Sequence, residues 1–270
     1  MTSRSLKVGV VQLPNATDIE ENMRRLEAVT REFAQLGARL VLFPECYLTG
    51  FTSKIQGGQP ELLDPYIDRA RALATELGLV VVLPTAYEVE PGQVENRGYW
   101  IGSGHDEHFA KTGLTESELS FFSKPAGAGA RVVELDGARI GVVVCREVAD
   151  APAELFGEGA ELDVLLWPGY WRWDPEVDWC RGGGGELMDG AYDLVDRYRA
   201  PLIQSNFCYN NGDDDRAKGP DGRAVVVSAD NKLVHLGSEL RASGVLVELE
   251  LAQRTSVVSC RDVVFDELVP

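Results

Sequence analysis

Three apolar runs in this chain end in a residue able to do chemistry: "VLFPE" in Glu45, "EHFAK" in Lys111 and "RIGVVVC" in Cys145. A carboxylate, a cation and a thiol at strand ends make a coherent set for nucleophilic catalysis. A cysteine thiol with a pKa of about 8.5 is mostly protonated at neutral pH and needs a base or a cation nearby to act as a nucleophile. Glu45 is suited to take that proton and return it to a leaving amine. Lys111 is suited to stabilise the thiolate and then the oxyanion of a tetrahedral intermediate, together with the backbone N–H of Arg146. Each residue also has a plainer reading: Cys145 as core filling, Glu45 as a solvated loop residue and Lys111 as a surface charge. No histidine occupies a comparable position, so a Cys-His hydrolase has little support.

The elements that must position these residues follow from periodicity. "LKVGVVQLP" (6–14) reads as a buried strand. Asp18 caps a helix whose apolar residues Ile19, Met23, Leu26, Val29, Phe33 and Leu36 step by three and four up to Gly37. "RLVLFPE" is a second strand stopped by Pro44, "ELLDPYIDRARALATELG" a second helix closed by glycine, and "LVVVLPTAYEV" a third strand. This β-α-β-α-β order implies a mainly parallel sheet. The middle is strand-rich ("NRGYWIGSG", "EHFAK", "RVVELDG", "RIGVVVC"), with Asp136-Gly137 as a hairpin turn. A short helix is expected near 151–159, then the strand "DVLLWP", a helix near 186–199 and "PLIQSNF". "GRAVVVSADNKLVHLG" predicts a hairpin turning at Asp230-Asn231 and closed by "GVLVELE". The pattern predicts one domain over 1–270 with helices on one side of extensive strand structure. Two stacked sheets flanked by helices would also accommodate this many strands. Open α/β sheets place ligand crevices at the carboxyl ends of their strands, where Glu45, Lys111 and Cys145 fall.

Composition narrows the function classes. A formal charge of -17 over 270 residues argues against nucleic acid or an anionic membrane as partner, since both need clustered Lys and Arg. No stretch approaches the roughly 18 to 20 apolar residues of a membrane span, and "MTSRSLKVGVVQLP" does not pattern as a signal peptide. Five scattered cysteines without a C-x-x-C pair read as reduced thiols in a cytoplasmic protein. The three histidines are too scattered for an obvious metal centre, so neither metal nor cofactor is expected.

"LFPECYLTGF", "FAKTGLTESELSFF" and "GVVVCREVAD" resemble, in order and spacing, the motif regions of the nitrilase (carbon–nitrogen hydrolase) superfamily, in its amidase or carbamoylase-like branch. "LKVGVVQLP", "GAELDVLLWPGYW" and "RYRAPLIQSNFCYNNG" extend the resemblance over nearly the whole chain. It implies a four-layer α-β-β-α sandwich, with Glu45 as general base, Lys111 as oxyanion cation and Cys145 as nucleophile. It also implies a supporting glutamate before an aromatic pair: Glu118, four before Phe122, fits better than Glu116. The chain departs from the family at Arg146, where an aromatic or small residue is usual, and in "ADAPAELFGEG", where Pro152 and Glu154 stand late and apart. The aromatic and acidic loop "WRWDPEVDW" makes Trp171, Arg172 and Trp173 candidate substrate-binding residues, with packing against a neighbouring subunit as the other reading. Apolar helix stripes and the resemblance together imply a homodimer or larger even homo-oligomer.

The leading expectation is hydrolysis of a small-molecule amide or N-carbamoyl compound through a Cys145 thioester. Nitrile hydrolysis, or acyl or amidino transfer to an amine, would use the same residues. From another class, Cys145 would be a redox-sensing thiol or the chain an inactive binding subunit, which has no need of all three groups. Arg146, Arg172 and Arg181 are suited to a substrate carboxylate, but each is more often a surface salt-bridge former.

Overall fold

Alternate residues of the first strand, β1 (Arg4–Asn15), belong to different apolar layers: Leu6, Val8 and Val10 to one, Val11 and Leu13 to another. That period-2 division is what a strand buried on both faces requires. Gly9 lies between these residues because a Cβ there would stand 2.5 Å from the Phe33 ring. The computed structural model describes residues 4–52, 58–150, 155–157, 159–171, 186–210, 222–237, 242–252 and 255–265.

From β1 the chain runs through α1 (Ile19–Gln35), β2 (Leu40–Leu42), α2 (Pro60–Leu77), β3 (Val80–Glu90), β4 (Gln93–Gly102) and β5 (His105–Ala110). A 3-10 turn (Glu118–Ser120) precedes β6 (Val132–Leu135), β7 (Ala138–Val142), α3 (Glu147–Asp150), β8 (Val164–Pro168), α4 (Glu186–Tyr198) and β9 (Leu202–Asn210). The last strands are β10 (Val225–Val227), β11 (Leu233–Leu236), β12 (Ser243–Leu251) and β13 (Ser256–Val264). Asp18 caps α1 by accepting the Glu21 N–H at 2.9 Å, and α2 ends on Gly78 with φ +67°.

The strand order β5-β4-β3-β2-β1-β9-β8-β7-β6 contains two parallel sets, β1-β2-β3 and β7-β8-β9. The sheet curls so that its two halves face one another. Leu40, Leu42, Val80 and Val82 of the first half share one apolar layer with Ile140, Val142, Val164 and Leu166 of the second. Residues of opposite parity face outward: Val41 and Val81 against α1 and α2, Leu165 and Trp167 against α4 and Val148 of α3. The result is the four-layer α-β-β-α sandwich, with helices on both outer faces rather than one.

Two local expectations need correction. A short helix spans Glu147–Asp150, two residues after Cys145; of the helix expected at 151–159, residues 151–154 and 158 lie outside the described set, and 155–157 and 159 are not helical. β10 and β11 do form a hairpin turning at Asn231, whose φ is +61°. The strand "GVLVELE" does not close it: β12 pairs antiparallel with β1, from Arg4↔Leu251 to Gln12↔Ser243. A further strand, β13, then pairs with β12. Among the described residues, no helix is long and apolar enough to cross a membrane.

Candidate active site

Glu45 stands three residues beyond β2. Phe43-Pro44 ends the strand there because proline has no N–H to continue the ladder, and the chain then turns through Cys46 at φ +53°. Thr49 holds the turn to β3 by accepting the Ala86 N–H at 3.1 Å. Gly50, at φ +76°, is needed where a Cβ would meet the Ala16 carbonyl oxygen at 2.3 Å. Asn15 fixes the next residue from both sides, donating to the Phe51 carbonyl at 2.8 Å and accepting its N–H at 2.9 Å. The Glu45 side chain is 0% exposed. Asn96, on β4, donates to its Oε1 at 2.7 Å.

Lys111 follows β5 directly, its N–H donating to the Asn96 carbonyl at 2.8 Å. Its buried ammonium donates to Glu45 Oε1 at 2.9 Å and to Glu118 Oε1 at 2.6 Å. Glu118 heads the 3-10 turn, and its Oε2 accepts the Thr115 N–H at 2.8 Å. Phe122 is buried beside Cys46 and Ala86, so the aromatic pair does anchor this turn inward. Glu116 stays exposed.

Cys145 lies three residues past the last paired residue of β7, not at the strand's own end, in a backbone turn with φ +47°. Its N–H donates to the Pro168 carbonyl at 2.9 Å, and its carbonyl accepts the Trp167 indole N–H at 2.9 Å. The thiol points toward the Tyr170 carbonyl at 3.7 Å, and the Tyr170 ring stacks on Phe51 with centroids 4.5 Å apart. Left-handed backbone at a non-glycine residue costs on the order of 1–3 kcal/mol and persists only where its surroundings over-determine it.

Burial dominates the electrostatics. It pushes the Cys145 thiol far up; the Glu45 carboxylate adds to the shift and Lys111 opposes it. It raises Glu45 as well, with Lys111 pulling the other way. For Lys111 burial would lower the pKa, but Glu45, Cys145 and Glu118 outweigh it and hold the ammonium well above its usual value. The resting site is therefore a neutral thiol beside a cation bridging two carboxyl groups. Glu45 Oε2 is buried without a hydrogen-bond partner at contact distance, and the Cys145 thiol is near enough to help lower the Glu45 pKa.

Glu45, Lys111, Cys145 and Glu118 thus converge from four separate segments. The backbone N–H of Arg146 follows the thiol directly, while the guanidinium turns along α3 to Asp150, 3.2 Å away. Trp171 is clamped through its backbone by Asn206 (3.1 and 2.9 Å) and packs against the α4-side core. Arg172, Trp173 and Arg181 lie outside the described residues. Sequence reading missed Asn96, which looks like one more polar residue on a half-exposed strand. It also passed over Glu147 and Arg131, a buried ion pair 2.8 Å apart; the one available signal was a glutamate two residues after the cysteine. Among the described residues, no group of His, Cys, Asp and Glu could hold a metal ion.

The α-β-β-α sandwich, with Glu45, Lys111 and Cys145 gathered in the turns beyond its strands, can be compared with known families. The carbon–nitrogen hydrolase profile matches residues 7–163, and the chain belongs to that family. Among individual proteins, it is 28% identical over 166 residues to a Mycobacterium tuberculosis protein named as a hydrolase. That match covers 58% of this chain, which spans 59% of the relative's length. N-carbamoylputrescine amidase of Solanum tuberosum is 24% identical over 227 residues, covering 76% of this chain and 71% of the relative. In structure, an amidase of the nitrilase superfamily from Nesterenkonia superposes with a TM-score of 0.73 at 19% identity, over 91% of this chain and 90% of the other.

Proposed function

We propose that this protein hydrolyses a non-peptide C–N bond in a small amide or N-carbamoyl compound, with Cys145 as nucleophile. The observation that carries the reading is the buried Lys111 ammonium bridging Glu45 and Glu118 beside the Cys145 thiol. Burying one cation with two carboxyl groups is a costly arrangement to keep for stability alone.

In this mechanism Glu45 takes the thiol proton as sulfur attacks the carbonyl carbon. Because the resting thiol is neutral, proton transfer and C–S bond formation go together. The carbonyl electron pair moves to oxygen, where Lys111 and the Arg146 N–H stabilise it. Collapse breaks the C–N bond, and the proton held by Glu45 passes to the leaving ammonia or amine. Glu45 then deprotonates a water that attacks the thioester; the C–S bond breaks, the acid leaves and the thiol regains its proton. Glu118 orients Lys111 throughout.

Relatives named as amidases support testing amides and N-carbamoyl compounds first. The experiment is an ammonia-release assay over ω-amides, N-carbamoyl amino acids, carbamoyl polyamines and aliphatic nitriles, with intact-mass trapping of the acyl-enzyme. An adduct on Cys145, absent in Cys145→Ala, is expected. Full turnover by Cys145→Ala would overturn the reading.

A further inference from the structure

Glu147 stands two residues after Cys145 and opens α3, yet it is only 2% exposed. Its carboxylate gathers donors from two distant segments. Oε1 accepts the Thr112 N–H (2.7 Å), the Thr112 hydroxyl (3.0 Å) and the Gly113 N–H (3.1 Å), from the turn that follows Lys111. Oε2 accepts the Val144 N–H at 2.9 Å, from the turn that presents Cys145. Gly113 must be this close: a Cβ there would stand 2.9 Å from Glu147 Cγ.

Arg131 completes the arrangement with two parallel contacts of 2.8 Å, one to each oxygen of Glu147. The same guanidinium donates to the Val142 carbonyl at 3.3 Å and to the Ala110 carbonyl. Those carbonyls are the last residues of β7 and β5, the strands that lead to Cys145 and Lys111. The Arg131 side chain is 3% exposed. An ion pair this deeply buried is a weak source of net stability against an apolar replacement. Its partners nonetheless all adjoin the two candidate reactive groups. Arg131 opposes the burial that would raise Glu147 and keeps the carboxyl below its usual pKa, so the clip stays charged at neutral pH.

We propose that Glu147, locked by Arg131, is a positioning residue that clips the Lys111 turn to the Cys145 turn and so sets the cation against the thiol. This rests on the roles given above to Cys145 and Lys111. Released, the two turns remain on their strands but lose their mutual register, and a misplacement near 1 Å is enough to slow chemistry on the order of a hundredfold.

The test compares Glu147→Asp, Glu147→Gln and Thr112→Val with the wild type in the full chain. Melting temperature, single-turnover acylation by the best amide of the panel across its concentration range, and alkylation of Cys145 by iodoacetamide are read together. Glu147→Asp keeps the charge but is too short to reach both turns. Both Glu147 variants are expected to acylate about a hundredfold more slowly per folded site, with half-saturation moved by less than about threefold. Thr112→Val, which removes only the exposed hydroxyl's bond, should lose about two- to fivefold. A merely structural carboxylate would lower the melting temperature and leave acylation per folded site at the wild-type rate, which overturns the proposal. If neither Glu147 variant folds, Thr112→Val decides: a wild-type rate there overturns the clip and a loss supports it. If no panel amide reacts, iodoacetamide decides, with about tenfold slower alkylation in Glu147→Asp expected and an unchanged rate overturning. Cys145→Ala, run alongside, separates the two claims. Turnover surviving in it overturns the parent reading and the clip with it. An inactive Cys145→Ala beside full acylation in Glu147→Asp overturns the clip alone.

Discussion

Asn96 donates to Glu45 Oε1 at 2.7 Å, on the oxygen already held by Lys111 at 2.9 Å, so that neither Asn96 nor Lys111 holds the buried Oε2. The carboxyl group is thereby divided into an anchored oxygen and one open to accept a proton. Asn96→Leu should remove one anchor while keeping similar volume. A hydrogen bond to a charged group contributes about 1.5–3 kcal/mol, so kcat is expected to fall roughly ten- to a hundredfold. Asn96→Asp should be worse, because a second carboxylate beside Oε1 would push Glu45 further toward its protonated form. Steady-state kinetics of the two variants check this ordering.

Lys111 is the shared partner of both buried carboxyl groups. Lys111→Ala should therefore fail twice. Catalysis loses the cation at the oxyanion, on the order of a hundredfold or more in kcat. Stability loses about 3–5 kcal/mol, because two buried carboxyl groups lose their shared ammonium partner. Urea denaturation at neutral pH separates the second effect from the first. Adding Glu118→Gln to Lys111→Ala should recover part of the stability and none of the rate.

Much of this was legible in the sequence because the signals are local. The α1 stripe, the Asp18 cap, the glycine at the end of α2 and the Asp136-Gly137 turn (φ +52° and +78°) are all decided within a few residues. Glu45 and Lys111 could be picked out because each ends an apolar run, and Glu118 only through the family resemblance. The pairing of β12 with β1 was not legible: Leu6 and Leu249 meet across nearly the whole chain, and strand register over such a separation leaves no local mark. Asn96 and Arg131 were missed because one polar residue on a strand reads as solvent-facing. Only the layer that covers it shows otherwise.

Cys145 holds φ +47° without being a glycine, supported by Glu147, whose N–H donates to the Val144 carbonyl at 3.0 Å, and by the Trp167 indole. Cys145→Ala and Cys145→Ser should fold like the wild type and be inactive. Cys145→Val adds a β-branched side chain in a region that already strains it, and should lower stability by about 1–2 kcal/mol relative to Cys145→Ala. Thermal melts by circular dichroism give the comparison. Equal melting temperatures for the alanine and valine variants would mean the turn relaxes more easily than its hydrogen bonds suggest.

Glu147 also sets a pH dependence of stability whose sign follows from its environment. Burial alone would raise its pKa, but Arg131 and the Val144 and Gly113 N–H groups bring it below the usual value. A carboxyl group with a depressed pKa in the folded state stabilises the fold fully above its unfolded pKa of about 4.3, and that stabilisation is lost as pH falls through the lower folded value. Glu45, raised by burial, works in the opposite sense, its ionised form opposing folding above the same unfolded pKa. The two are separable by variant. Measured in urea, the stability difference between wild type and Glu147→Gln should be constant near neutral pH and shrink below about pH 4. For Glu45→Gln, neutralising the carboxyl should cost less stability near neutral pH than its burial suggests, while kcat falls at every pH. A Glu147→Gln difference that stays constant down to about pH 3 would show that the clip does not depend on the charge of Glu147.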